Sequence, residues 1–150
     1  MTLKERLSTD MVAALKARDE ITTSTLRMAL AAVGTAEVAG KVKRELSDDE
    51  VLAVLKKEAK KRVEAASAFA DAGRAEQAAK ERAEEAVLAK YLPAQLSDAE
   101  IEALVSKTLA EGDFSGPAAM GQAMKAVQAA VAGRADGGKV AAEVRKQLSA

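Results

Sequence analysis

MGQAMKAVQAAVAGRADGGKVAAEVRKQL, residues 120–148, reads as two amphipathic helices joined by a glycine-hinged turn. Met120, Met124, Val127 and Val131 fall at steps of four, three and four, the spacing that stacks side chains along one helical face. Val140, Val144 and Leu148 continue the pattern on the second helix at i, i+4 and i+8. Between the two stripes, Gly133 stands where a left-handed residue ends a helix, and Asp136 stands where a carboxylate caps the next one. Gly121 lies beside the first stripe, and its missing Cβ is expected to admit a closely packed neighbouring helix. A segment of this kind carries docking faces and almost no chemistry.

The same helical grammar extends toward the N-terminus, and strand signals hardly occur. Thr2 with Glu5, Ser47 with Glu50 and Ser97 with Glu100 each fit the capping box, in which a hydroxyl and a carboxylate three residues apart satisfy orphan amides at a helix start. Apolar stripes follow: Leu3, Leu7, Met11 and Leu15; Leu26, Leu30 and Val33; Leu52, Leu55, Ala59, Val63 and Ala66; and Ile101, Leu104, Val105 and Leu109. Asp19 separates the first two helices, Gly40 ends the second, and a long third helix is expected over about residues 48–72. Gly73 breaks it, and an alanine-rich fourth, residues 75–90, is expected to place Ala79, Ala83 and Ala86 on one face. Gly116 and Pro117 open the sixth. About seven helices result.

Pro93 cannot sit comfortably inside a helix, which makes residues 91–96 the expected seam. The predicted fold is all-α with two small helical domains: a four-helix unit over 1–93 and a three-helix bundle over 94–150.

These motifs also carry a resemblance. MGQAM, GRADGGKV and VRKQL, with YLPAQLSDAEI at residues 91–101 and the opening LKERLSTDMVAALKARDEITTSTLRMALAA, resemble the YqeY family over essentially the whole chain. That family's C-terminal part is similar to the tail of the B subunit of glutamyl-tRNA amidotransferases. The resemblance implies tRNA as a partner, with an amidotransferase or aminoacyl-tRNA synthetase as a further one. It also implies an association with carbon–nitrogen ligation using glutamine as nitrogen donor.

The composition excludes most familiar active sites. With no cysteine and no histidine, the chain has no disulfide, thiol nucleophile, imidazole base or usual zinc ligand. No cofactor or metal is expected, and no residue stands out as catalytic. Lys and Arg number 23, as do Asp and Glu, so no global positive field draws the chain to nucleic acid or anionic lipid. Lys4, Glu5 and Arg6 interrupt the start at once, and no apolar run approaches a bilayer span. The expected setting is the cytoplasm, with neither membrane nor DNA as partner.

Candidate sites each have a plainer reading beside them. Residues 133–140, GRADGGKV, satisfy the phosphate-loop pattern until Val140 stands where Ser or Thr should hold magnesium, and a helix rather than a strand precedes them. They read as a helix-linking turn. Lys56, Lys57, Lys60, Lys61 and Arg62 form the densest basic cluster, either a solvated face with Glu58 and Arg62 paired at i, i+4, or a surface where Lys57 and Lys61 meet phosphates.

The C-terminal helix pair has a local surplus of cations: Lys125, Arg134, Lys139, Arg145 and Lys146 stand against Asp136 and Glu143. All five are RNA-binding candidates. Lys139 and Lys146 flank Glu143 at helical spacing and are open to pairing with it instead. Arg134, at the hinge, either forks onto a phosphate or caps the carbonyls of the preceding helix. Thr22, Thr23, Ser24 and Thr25 lack a base to activate them and read as exposed first turns of the second helix. The expected function is an accessory tRNA-binding protein related to tRNA-dependent amidotransferases without its own catalytic centre. The alternative is a helical adaptor between proteins.

Overall fold

The computed structural model describes residues 1–150, and every regular element in it is helical. The order is α1 (Leu3–Lys16), α2 (Glu20–Glu37), α3 (Asp48–Asp71), α4 (Ala75–Ala89), α5 (Asp98–Glu111), a single 3-10 turn at Pro117–Ala119, α6 (Met120–Val131) and α7 (Gly137–Leu148). The all-α expectation is confirmed. All three capping boxes form, with Thr2, Ser47 and Ser97 accepting from the amides of Glu5, Glu50 and Glu100. Asp19 caps α2 by accepting from the Thr22 amide at 3.1 Å. The chain divides into two compact units, Met1–Leu92 and Pro93–Ala150.

In Met1–Leu92 the core joins Leu7 of α1, Leu26, Ala29 and Val33 of α2, Val51, Leu55 and Ala59 of α3, and Val87 and Leu88 of α4. Each fully buried leucine or valine contributes roughly 1.5–3 kcal/mol of hydrophobic stabilisation. The N-terminus of α1 is tied to later chain: the Leu3 amide donates to Asp48 Oδ1 at 3.0 Å, and Lys4 Nζ donates to Glu37 Oε1 at 2.7 Å. Glu37 Oε2 also accepts from the Leu46 amide at 3.2 Å. Lys4 first, then the Leu46 amide, hold the Glu37 carboxyl below its ordinary value. α2 ends at Glu37, three residues before Gly40, which was expected to end it.

Several sequence expectations are corrected here. On α4, Ala79, Ala83 and Ala86 do share one face, and that face is exposed; the inward face carries Ala78, Glu84, Val87 and Leu88. Exposing three methyl groups costs little, whereas Val87 and Leu88 together remove far more apolar surface from water. On α3, Val63 is half exposed and Arg62 is buried in its stead. On α1, Ala14 turns inward and Leu15 outward. The hydroxyl run on α2 is not an exposed turn either: Thr23 and Thr25 are buried. Thr23 can face inward because its Oγ1 donates to the Asp19 carbonyl at 2.7 Å, leaving the methyl to pack.

In Pro93–Ala150, α5, α6 and α7 contribute three core residues each: Ile101, Val105 and Leu109; Ala123, Val127 and Val131; Val140, Val144 and Leu148. Met120 and Met124 pack against this core partly buried. Gly121 contradicts its expected role, since a Cβ built there meets nothing within 4 Å. No helix approaches closely at that point.

Candidate functional site

The α6–α7 turn is built by two successive left-handed residues, Ala132 at φ 50° and Gly133 at φ 76°. Glycine adopts this conformation without Cβ strain, whereas alanine does so at a cost the turn must offset. Arg134 supplies the offset. Its Nε donates to the Val131 carbonyl at 3.0 Å and its Nη2 to the Ala130 carbonyl at 3.1 Å. The orphan carbonyls at the end of α6 are thus satisfied by a cation, which also complements the negative end of the helix. The Arg134 carbonyl in turn accepts from the Leu96 amide at 2.8 Å, pinning the segment ahead of α5 to the turn. Of the two roles open to Arg134, these contacts are those of the cap.

Asp136 then starts α7. Its Oδ2 accepts from the amides of Gly138 at 3.1 Å and Lys139 at 3.3 Å. Those are the amides a phosphate would need at this helix N-terminus. They are already held by a carboxylate of the chain itself, so the GRADGGKV segment acts as the helix-linking turn.

The remaining cations of this unit fall into two groups. Lys139 does not pair with Glu143: its Nζ reaches Asp98 Oδ1 on α5 at 3.3 Å. Glu143 instead accepts from Gln147 Nε2 at 2.8 Å, and that same nitrogen donates to the Glu102 carbonyl at 3.0 Å. Gln147 Oε1 accepts from Ser106 Oγ at 2.8 Å, so one amide side chain bridges α7 to α5. Nothing in the local sequence marks Gln147, because its partners lie 41 and 45 residues away. Lys139 and Lys146 line a shallow groove between α5 and α7 together with Asp98, Glu102 and Glu143. Its charge is mixed. Lys125 on α6 and Arg145 and Lys146 on α7 are exposed and make no ion pair.

The basic cluster of α3 belongs to Met1–Leu92 and separates into distinct parts. Lys57 is exposed without an ion pair, and Lys61 Nζ sits 3.3 Å from Glu58 Oε1. Arg62 leaves the solvated face altogether. Its Nη1 donates to the Glu58 carbonyl at 2.9 Å and to Glu58 Oε2 at 3.0 Å, while its Nε faces Glu84 Oε2 of α4 at 3.4 Å. The expected Glu58–Arg62 pair forms, but as an internal one.

Tyr91 closes the same unit. Its hydroxyl donates to Asp10 Oδ2 at 2.6 Å, and the Arg6 guanidinium lies 4.8 Å from its ring centroid. Burial, followed by the Asp10 carboxylate, raises the Tyr91 hydroxyl well above its ordinary value, keeping it a donor. No group of three His, Cys, Asp or Glu side chains is arranged to hold a metal ion. No helix is long and apolar enough to cross a membrane.

Compared with known protein families, the chain matches the Yqey-like protein family over residues 4–148. Compared with curated proteins, it has no match.

Proposed function

The chain belongs to the YqeY family, and from that membership we propose that it serves as an accessory tRNA-binding protein related to tRNA-dependent amidotransferases, with no catalytic centre of its own. The observation that carries this reading is the set of exposed, unpaired cations on the C-terminal unit: Lys125, Arg145 and Lys146. Cations without a carboxylate partner can displace the counterions condensed on a phosphate backbone, and their entropy of release drives binding. Arg134 is engaged by the α6 carbonyls, and Lys139 is held at the surface by Asp98. Lys57, with Lys61 beside it, offers a second contact on the N-terminal unit. The working place is then the cytoplasm, in translation. The glutamine-dependent bond-making resides in a partner amidotransferase or aminoacyl-tRNA synthetase.

The test is binding of tRNA to the purified full chain, followed by fluorescence anisotropy across a salt series. Affinity at low salt that falls as salt rises supports the reading, and no binding at low salt refutes it.

A second reading, an adaptor between proteins, is favoured by a separate observation. The exposed large apolar side chains, among them Val12, Leu15, Met28 and Val63, are all confined to Met1–Leu92. Capture of a synthetase or amidotransferase subunit that survives nuclease treatment distinguishes it from the first.

A further inference from the structure

The guanidinium of Arg62 is almost fully withdrawn from water, with 5% of its side-chain surface exposed. It carries five N–H donors and no acceptor. Nη1 is well served by Glu58, through both the carbonyl and the carboxylate. The other edge is not. Nε is close to Glu84 Oε2 but makes no hydrogen bond, and Nη2 has as its acceptor only the thioether sulfur of Met28 on α2, at 3.8 Å. A thioether is a weak acceptor, so this buried edge is under-satisfied.

Met28 itself is 50% exposed. A small oxidant therefore reaches the side chain whose sulfur touches a buried cation. Of the other methionines, Met11, Met120 and Met124 are partly buried against the two cores, and Met1 is at the exposed terminus.

We propose that Met28 is a peroxide-sensitive modification site whose sulfoxide oxygen is received by the Arg62 guanidinium, so that oxidation tightens α2 against α3. The sulfur lone pair attacks one oxygen of hydrogen peroxide, and the S–O bond forms as the O–O bond breaks. The departing hydroxide takes up the proton left on the transferred oxygen and leaves as water. Sulfur loses two electrons and the peroxide gains them. The product is a strong acceptor that extends one S–O bond from the sulfur toward Nη2, and the three rotatable bonds of the side chain let it turn there. Sulfoxidation of a core methionine has the opposite effect, placing a polar group among apolar neighbours and loosening them. Two-electron reduction by an external dithiol, which is oxidised to a disulfide while the sulfoxide oxygen leaves as water, restores the weak thioether contact and makes the change reversible.

The experiment treats the full chain with graded hydrogen peroxide, locates oxidation by peptide mass spectrometry and follows thermal unfolding. Met28 is expected to oxidise before Met11, Met120 and Met124. Mild treatment should raise the unfolding midpoint of the N-terminal unit by about 4 °C, the response of a domain this size to one added interaction, and should not raise that of Met28→Leu. Met28→Gln, which offers an amide oxygen without any oxidant, should melt above Met28→Leu. Oxidation of Met28 no faster than of Met120 and Met124 overturns the proposal. So does a midpoint that is unchanged or falls in the treated native chain, or a Met28→Gln midpoint no higher than that of Met28→Leu.

Discussion

The Arg62 guanidinium on α3 stands 3.4 Å from the Glu84 carboxylate on α4, and the two side chains keep only 5% and 8% of their surface in contact with water. Burying two charges costs desolvation energy that only good mutual geometry offsets. Glu58, at 3.0 Å from the same guanidinium, compensates the Nη1 edge. Breaking such a pair is costly because it leaves the other charge buried and unpaired.

Arg62→Ala leaves Glu84 buried and uncompensated and should cost about 3–5 kcal/mol in urea denaturation. The double change Arg62→Met with Glu84→Leu removes both charges while keeping volume. It should recover most of that loss, and a double variant as unstable as the single one would contradict the account.

Arg134→Ala removes two charge-assisted hydrogen bonds to the end of α6. The C-terminal unit should lose about 1.5–3 kcal/mol, the range for hydrogen bonds to a charged group. Arg134→Lys keeps the charge but not the planar fork, and should recover only part of it. Native-state hydrogen exchange at the α6 C-terminus reads both.

For the proposed tRNA contact, Lys125→Glu, Arg145→Glu and Lys146→Glu should each weaken binding, and neutralising one phosphate-contacting cation should lower the salt slope by about 1. Lys139→Gln should act differently, because it breaks a bond to Asp98 that is internal to the chain. Salt slopes that do not change in the three reversals would rule out this surface as the phosphate contact.

Acid lability should concentrate where α1, α2 and α3 meet. Glu37 is held below its ordinary value of 4.5 by Lys4 and the Leu46 amide. Glu50 is lowered by Arg44 and the Ser47 amide. A carboxylate depressed in the folded state gives its full stabilisation above the unfolded value and loses it as pH falls through the folded one. Thermal midpoints should therefore drop as pH falls below about 4.5, and Glu37→Gln should flatten that dependence. An identical pH profile in the variant would contradict the linkage.

Gly121→Ala should stabilise the C-terminal unit by about 0.4–1 kcal/mol, since glycine inside a helix costs backbone entropy and the added methyl meets no neighbour. A loss of stability would mean that Gly121 does support a close approach.

What lay in the sequence and what did not separate along one physical line. The helices, their three capping boxes, the Gly73 break and the Asp136 cap were legible because each depends on residues within about one helical turn of one another. The tail stripe Val127, Val131, Val140, Val144 and Leu148 was legible for the same reason, being a pure periodicity with no competing apolar face. The inner face of α4 was not legible because Glu84 sits on it, and a carboxylate is read as exposed until its buried partner is known. That partner is Arg62, on another helix. The Lys139–Asp98 bond and the Gln147 bridge were hidden for the same cause, as each joins positions 41 or more residues apart.

The amino-acid sequence by itself determined that this chain is helical, where its helices start, and that it carries no thiol or imidazole chemistry. Only the tertiary structure decided which cations are consumed internally and which are left facing water. Helix formation is governed by neighbours along the chain, whereas the fate of a charge depends on whichever opposite charge or carbonyl folding brings beside it.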